Sequence, residues 1–343
     1  MRAGGNGQEG GNGTEGGNRQ EHGNGEAIGI DVGGTKINAF RVARDGTIVE
    51  RSSTPTPADD EAATLSTMVE LARSLKTDHV IAIGVGAAGM IDATEGVLRY
   101  APNLAWRDLP IAERMRAALD LPCQVDNDAS MAAYGEFRFG AGRGYRHLLL
   151  VTVGTGIGGG IISDGRLFRG ANGFASEIGH IIVEPGGPLC GCGNRGCWEQ
   201  VAAGRAIDRM GREEAREQKH SILRRLAGGD PDKVTGKLVT EAARQGDDAA
   251  KGILAEAGRR LGEGIAGLVN VLDPQVVVVG GGAIVAGDLL LEPARVSFHE
   301  AVEAPEYRPR VPIVPAQLGN DAGAVGAATL ALEELGARDG LNA

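Results

Sequence analysis

Residues Ala27–Glu50 read AIGIDVGGTKINAFRVARDGTIVE. An apolar run meets a glycine turn preceded by Asp31, an alternating run comes next, and Asp45-Gly46 then signals a hairpin. The same grammar returns at Leu148–Phe168, LLLVTVGTGIGGGIISDGRLF, where Asp164-Gly165 closes the second unit. Fourteen positions separate Asp31 from Asp45, and twelve separate Thr152 from Asp164. Two strand–glycine turn–strand–hairpin units about 120 residues apart suggest two similarly built halves. Between and after them strand-like runs such as His79–Gly89 alternate with helical ones such as Ile111–Leu119, which points to an α/β class. A long helix is expected over about 249–272, ended by Pro274, and a final Ala/Leu-rich helix over about 323–335.

The 343 residues suit two domains, and apolar residues at 42% allow sizeable cores, built mostly from aliphatics because aromatics reach only 3%. A net charge of −10 argues against nucleic-acid backbones and anionic membranes as partners. No run of 18 apolar residues occurs, and residues 1–26 are rich in Gly, Asn, Glu and Gln with no apolar signal-peptide core. The expectation is a soluble, cytoplasmic protein with a disordered tail over residues 1–26.

Glycine turns follow apolar strands at Gly33-Gly34, Gly84–Gly89, Gly154–Gly160 and Gly280–Gly282. Any one of them reads first as a tight turn; four together suggest backbone amides wrapped around phosphate. Gly84/Gly86/Gly89 and Gly154/Gly156/Gly159 both fit G-x-G-x-x-G, but the second runs on into a hairpin where a dinucleotide fold needs a helix, so that fold is excluded on context. No Walker-type P-loop occurs. Asp31 beside phosphate-binding amides requires a cation between them, hence Mg²⁺ held through water, although a strand-end Asp alone is more often a turn former.

Asp126-Asn127-Asp128 opens the helical segment Ala129–Phe137. One such residue suffices as an N-cap. The sharper reading gives Asn127 a hydrogen-bonding role and makes Asp128 a general base. His180 with Cys190, Cys192 and Cys197 (C-x-C-x₄-C) supplies four donors for a tetrahedral Zn²⁺ with no open position, a structural site. A disulfide or free buried thiols are the alternatives, disfavoured in a reducing compartment. The metal would fix Glu177 and Glu199 beside it.

Taken together, Asp31–Lys36 (DVGGTK), Gly84–Gly89 (GVGAAG), Asn127–Ala129 (NDA), Glu177–His180 (EIGH) and Cys190–Gln200 (CGCGNRGCWEQ) resemble the bacterial glucokinases of the ROK (repressor, ORF, kinase) family, over about residues 27–335. The resemblance implies a two-domain actin-like/hexokinase (ribonuclease H-like) fold in which sugar and ATP meet in an interdomain cleft. It implies a smaller domain of residues 27–125 plus a C-terminal helix of about 323–338, and a larger one of residues 126–322 carrying the zinc loop. Asp128 would take the proton of the sugar 6-hydroxyl, while Asn103, Asn127, Glu177, His180 and Glu199 bind the sugar. Asp31, Gly33, Gly34, Thr35 and Lys36, then Gly154, Thr155, Gly156 and Gly158, would hold phosphates, and Gly280, Gly281 and Gly282 the adenosine. The implied cofactors are ATP, Mg²⁺ and structural Zn²⁺, and the implied assembly is a homo-oligomer, a dimer or tetramer.

Two positions depart from the family pattern: many relatives have Pro-Gly where Ala88-Gly89 stands and Asn where Ser130 stands. Glucose is the expected acceptor, with N-acetylmannosamine, fructose or mannose as alternatives. Repressors of the same family carry a DNA-binding segment ahead of their DxGGT motif. The residues before Ile28 have neither helical periodicity nor much basic charge, which argues against that role.

Overall fold

The computed structural model describes residues 25–101 and 106–341. The disordered-tail expectation for residues 1–26 therefore falls almost wholly outside the described residues, and Asn103 lies outside them too.

The chain begins with β1 (Glu26–Val32), β2 (Lys36–Ala43) and β3 (Ile48–Pro55), joined at the two predicted turns. Helix α1 (Glu61–Leu75) starts where the Asp60 side chain accepts the Ala63 amide, and β4 (Val80–Ala87) follows. A small antiparallel sheet, β5 (Met90–Asp92), β6 (Val97–Tyr100) and β7 (Arg107–Leu109), leads to α2 (Ile111–Leu119), β8 (Cys123–Asn127) and α3 (Asp128–Phe139). The second unit opens with β9 (Leu148–Val153), β10 (Ile157–Ser163) and β11 (Arg166–Leu167). Then come α4 (Glu199–Ala202), α5 (Gly204–Glu217), α6 (Ile222–Leu226), α7 (Gly236–Arg244) and α8 (Asp248–Leu272). The chain ends with β12 (Val276–Gly280), α9 (Asp288–Ala301), β13 (Ile313–Pro315) and α10 (Ala322–Leu341). The last helix runs beyond its expected end, to Leu341.

The two main sheets have one plan. Their strand orders are β3-β2-β1-β4-β8 and β11-β10-β9-β12-β13, with β1 and β9 each antiparallel to the next strand in the chain and parallel to β4 and β12. The sequence repeat maps onto this plan directly: Asp31 on β1 faces Asn38, and Thr152 on β9 faces Gly158.

Both faces of each sheet are covered, so their inner strands are apolar on both sides. Ile28, Ile30 and Val32 of β1 pack with α1 and α2, while Ala27 faces α10. Leu149, Val151 and Val153 of β9 join the α5–α9 core, while Leu148 and Leu150 face α3. Helices α3 and α10 thus lie between the two sheets. Gly29 and Gly84, side by side on β1 and β4, let α10 settle directly on the first sheet: a Cβ on either would stand 1.8 or 1.9 Å from the carbonyl oxygens of Ala324 or Ala327. Gly84 and Gly86 therefore lie inside a strand, not in a phosphate turn. Among the described residues no helix is long and apolar enough to cross a membrane.

Candidate active site

The strand ends and helix starts of both halves face a cavity of about 460 Å³. Asn127, Asp128, Glu177, His180, Glu199, Gly154, Thr155, Gly156, Gly158 and Gly281 all line it. Asp31, Gly33, Gly34, Thr35, Lys36, Gly280 and Gly282 are not part of its lining; Gly34 and Thr35 on the turn between β1 and β2, and Lys36 at the start of β2, are exposed. Gly158 lies in β10 and Gly280 closes β12, so of the predicted phosphate and adenosine glycines only some are turn residues.

The three polar residues at the start of α3 have separate tasks. Asp126 is 1% exposed and accepts Arg169 Nε at 2.6 Å and the Asn127 amide at 2.8 Å. Asn127 is the N-cap: its Oδ1 accepts the Ala129 and Ser130 amides at 2.9 and 3.1 Å, and its Nδ2 donates to Gly89 O at 3.1 Å. One amide hydrogen of Asn127 is left for a ligand. With the cap supplied by its neighbour, the Asp128 carboxylate accepts the Ala129 amide at 2.9 Å.

Carboxylates crowd this end of the cavity. Burial pushes the Asp128 carboxyl above the ordinary range. Glu177 is pushed the same way, by burial first and then by Asp128 and Glu199, with His180 opposing. Asp31, at the end of β1 against Gly323 of α10, is raised to about 7 by burial and then by the charge of Asp128, offset by a hydrogen bond with Asn38. Asp31 is thus electrostatically linked to the cavity although it does not line it. Such a group of acids favours protons or a cation.

His180 joins the cavity to a cluster behind it. Its Nδ1 lies 3.6 Å from Cys190 Sγ, Cys192 and Cys197 Sγ are 3.6 Å apart, and all four donor atoms lie within 4.8 Å of one another. Tetrahedral Zn–S and Zn–N bonds would separate their ligands by roughly 3.6–3.8 Å, so the residues fit zinc. The four cysteines form no disulfide. Trp198, between Cys197 and Glu199, is buried against α8 and donates from Nε1 to Arg260 O at 2.9 Å. Glu199 Oε1 is 3.1 Å from Cys190 Sγ, so the cluster and the acid are built as one unit.

Met90, Tyr100, Ser176 and Arg205 line the cavity without having been expected there. Ser176 takes φ 72°, and its buried Oγ has no hydrogen-bond partner among the described residues. Neither residue type nor spacing announces any of the four; only the folded chain brings them together.

The ROK family pattern matches residues 27–334. The glucokinase of Streptomyces coelicolor is 43% identical over 312 residues, 90% of this chain and 98% of that protein. The glucokinase of Halalkalibacterium halodurans is 40% identical over 318 residues, 90% of this chain and 95% of that protein. The crystal structure of a ROK family glucokinase from Streptomyces griseus in complex with glucose and AMPPNP superposes with a TM-score of 0.82 at 42% identity, covering 90% of this chain and all of that one.

Proposed function

Because this chain belongs to the ROK family, we propose that it is a glucokinase, transferring the γ-phosphoryl group of ATP to the 6-hydroxyl of glucose. The observation that carries the reading is Asp128, a half-buried carboxylate free of capping duty, in one cavity with the Gly154–Gly156 turn and with Glu177, His180 and Glu199. The actin-like/hexokinase architecture seen here, two sheets of one plan with helices between them, suits a cleft that closes on its substrates.

In this reading Asn127, Glu177, His180 and Glu199 orient the sugar hydroxyls, with Asn103 as a further contact. The 6-hydroxyl oxygen forms a bond to the γ-phosphorus as that phosphorus loses its bond to the β,γ-bridging oxygen, whose electron pair leaves with ADP. Asp128 takes the hydroxyl proton, a role generally worth 10²–10⁴ in rate. The Gly33-Gly34-Thr35-Lys36 and Gly154-Thr155-Gly156 turns, with Gly158, hold the phosphates, the Gly33 and Gly154 amides closing the turns on Lys36 O and Gly156 O, and Gly280–Gly282 hold the adenosine. Asp31 would hold Mg²⁺ through water, and the ion would offset phosphate charge when bound. His180 Nδ1 and the three thiolates would hold zinc with no open position, so its part is to fold the loop that carries His180 and Glu199. Four free cysteines suit a reducing cytoplasm, where we place the enzyme as a homo-oligomer.

A coupled assay of the full chain with ATP over glucose, mannose, fructose and N-acetylmannosamine tests the reading. Glucose should give the highest kcat/KM, and Asp128→Ala should lose about 10³-fold or more in kcat. Higher kcat/KM on another sugar would overturn the acceptor, and an active Asp128→Ala would overturn the base.

A further inference from the structure

The cavity wall is acidic: Asp128, Glu177 and Glu199 contribute carboxylates, and Arg205 is the one Lys or Arg among its described lining residues. A nucleotide entering that cavity brings several negative charges, which the acids repel. We propose that Arg205 binds the phosphates of the nucleotide donor, a contact that deepens the kinase reading and rests on it.

Position and availability carry this assignment. Arg205 is the second residue of α5, and its backbone N–H donates to Thr155 O at 3.2 Å, while the Gly204 N–H donates to Gly154 O at 2.9 Å. Those two bonds pin its Cα against the Gly154–Gly156 turn, the one assigned to phosphate. Its side chain is exposed, and its guanidinium makes no hydrogen bond or ion pair with any described residue. Arg169, Arg259 and Arg260, by contrast, are each engaged by two or more carboxylates. A planar guanidinium grips two phosphate oxygens at once and keeps its charge at every working pH, so it stabilises both the bound donor and the charge spread over the transferring group. Arg205 takes up no proton in the reaction.

The test uses the full chain and its Arg205→Ala, Arg205→Gln and Arg205→Lys variants. AMPPNP with Mg²⁺ is titrated calorimetrically, glucose binding is followed by tryptophan fluorescence without nucleotide, and steady-state kinetics are taken for both substrates. Loss of a charged hydrogen-bonding group predicts about 10- to 100-fold weaker AMPPNP binding and a similar fall in kcat/KM for ATP in Arg205→Ala. Glucose affinity should stay unchanged, Arg205→Lys should recover part of the loss, and added guanidinium should rescue Arg205→Ala. Unchanged AMPPNP affinity and kcat/KM in both Arg205→Ala and Arg205→Gln, or an equal loss of glucose binding, would overturn the proposal. A wild type that binds AMPPNP but phosphorylates no hexose would defeat the kinase reading alone, since the AMPPNP titration would still decide Arg205.

Discussion

Asp31 shows what one half-buried acid does to the free protein. Its carboxyl titrates at about 7 in the fold, against an ordinary value near 3.8. Between those values the folded chain holds a proton that the unfolded chain has released. Asp31 therefore favours folding below about pH 4, and that contribution fades as the pH rises to about 7 and beyond. One such proton gives a slope approaching ~1.4 kcal/mol per pH unit. Asp126, Asp128 and Glu177 are shifted the same way, so the wild type should lose stability from pH 5 to pH 8 in the absence of ligands. Asp31→Asn should reduce that slope by about one proton; denaturant unfolding at several pH values measures it, and an unaltered slope would remove Asp31 from the account. The sequence could mark Asp31 and the Asp126–Asp128 trio as polar groups at strand ends. It could not single out Asp126 as an ion-pair partner or Asn127 as the cap tied to the β4–β5 turn, because those roles depend on Arg169 and Gly89, distant in sequence.

Among the elements, the loop from His180 to Cys197 has few apolar residues and takes its support from α8. Trp198 lies against Gly264 of α8, where a Cβ would come within 2.1 Å of the indole, and Arg260 pairs with Glu184 of the loop at 3.3 Å. Gly264→Ala must push Trp198 away, and the overpacking should cost about 1–3 kcal/mol. Because Trp198 joins Cys197 to Glu199, the same change should speed zinc loss to a chelator and raise KM for glucose while leaving AMPPNP affinity unchanged. Zinc release followed by a colorimetric chelator, beside thermal unfolding, decides it: wild-type release and wild-type KM would mean that α8 does not hold the loop. The cysteine spacing made this cluster legible, since ligand geometry is written in short-range sequence. Its backing was hidden, because Gly264 is simply one small residue in a long helix. Gly84 misled for the opposite reason: a glycine that admits a helix looks the same in sequence as one that admits a phosphate.

At the scale of the molecule, the repeated strand–turn–strand units foretold two sheets of one plan. The β5–β7 sheet and the helices α5–α7 have no such internal echo and were not legible. Nor was the tie between the halves. Arg169 comes just after β11 of the second sheet, yet its Nε bonds Asp126 of β8 in the first sheet at 2.6 Å and its Nη2 bonds Glu334 of α10 at 2.9 Å. Asp126 is almost wholly buried, and Arg169 is the cation that opposes the burial shift of its carboxyl. Removing one member of a fully buried pair generally costs 3–5 kcal/mol; with the Arg169 side chain 27% exposed, Arg169→Ala should cost about 2–3 kcal/mol near neutral pH. The cost should shrink in acid, where Asp126 can take a proton in place of its partner, and Arg169→Ala/Asp126→Asn should recover much of it. Since Asp126 precedes Asn127 and Asp128, the single variant should also weaken glucose binding. Unfolding at pH 5 and pH 8 tests the tie. A deficit equal at both values would mean that Arg169 contributes packing alone, and no deficit at either would mean that the halves are held together by α3 and α10 without it.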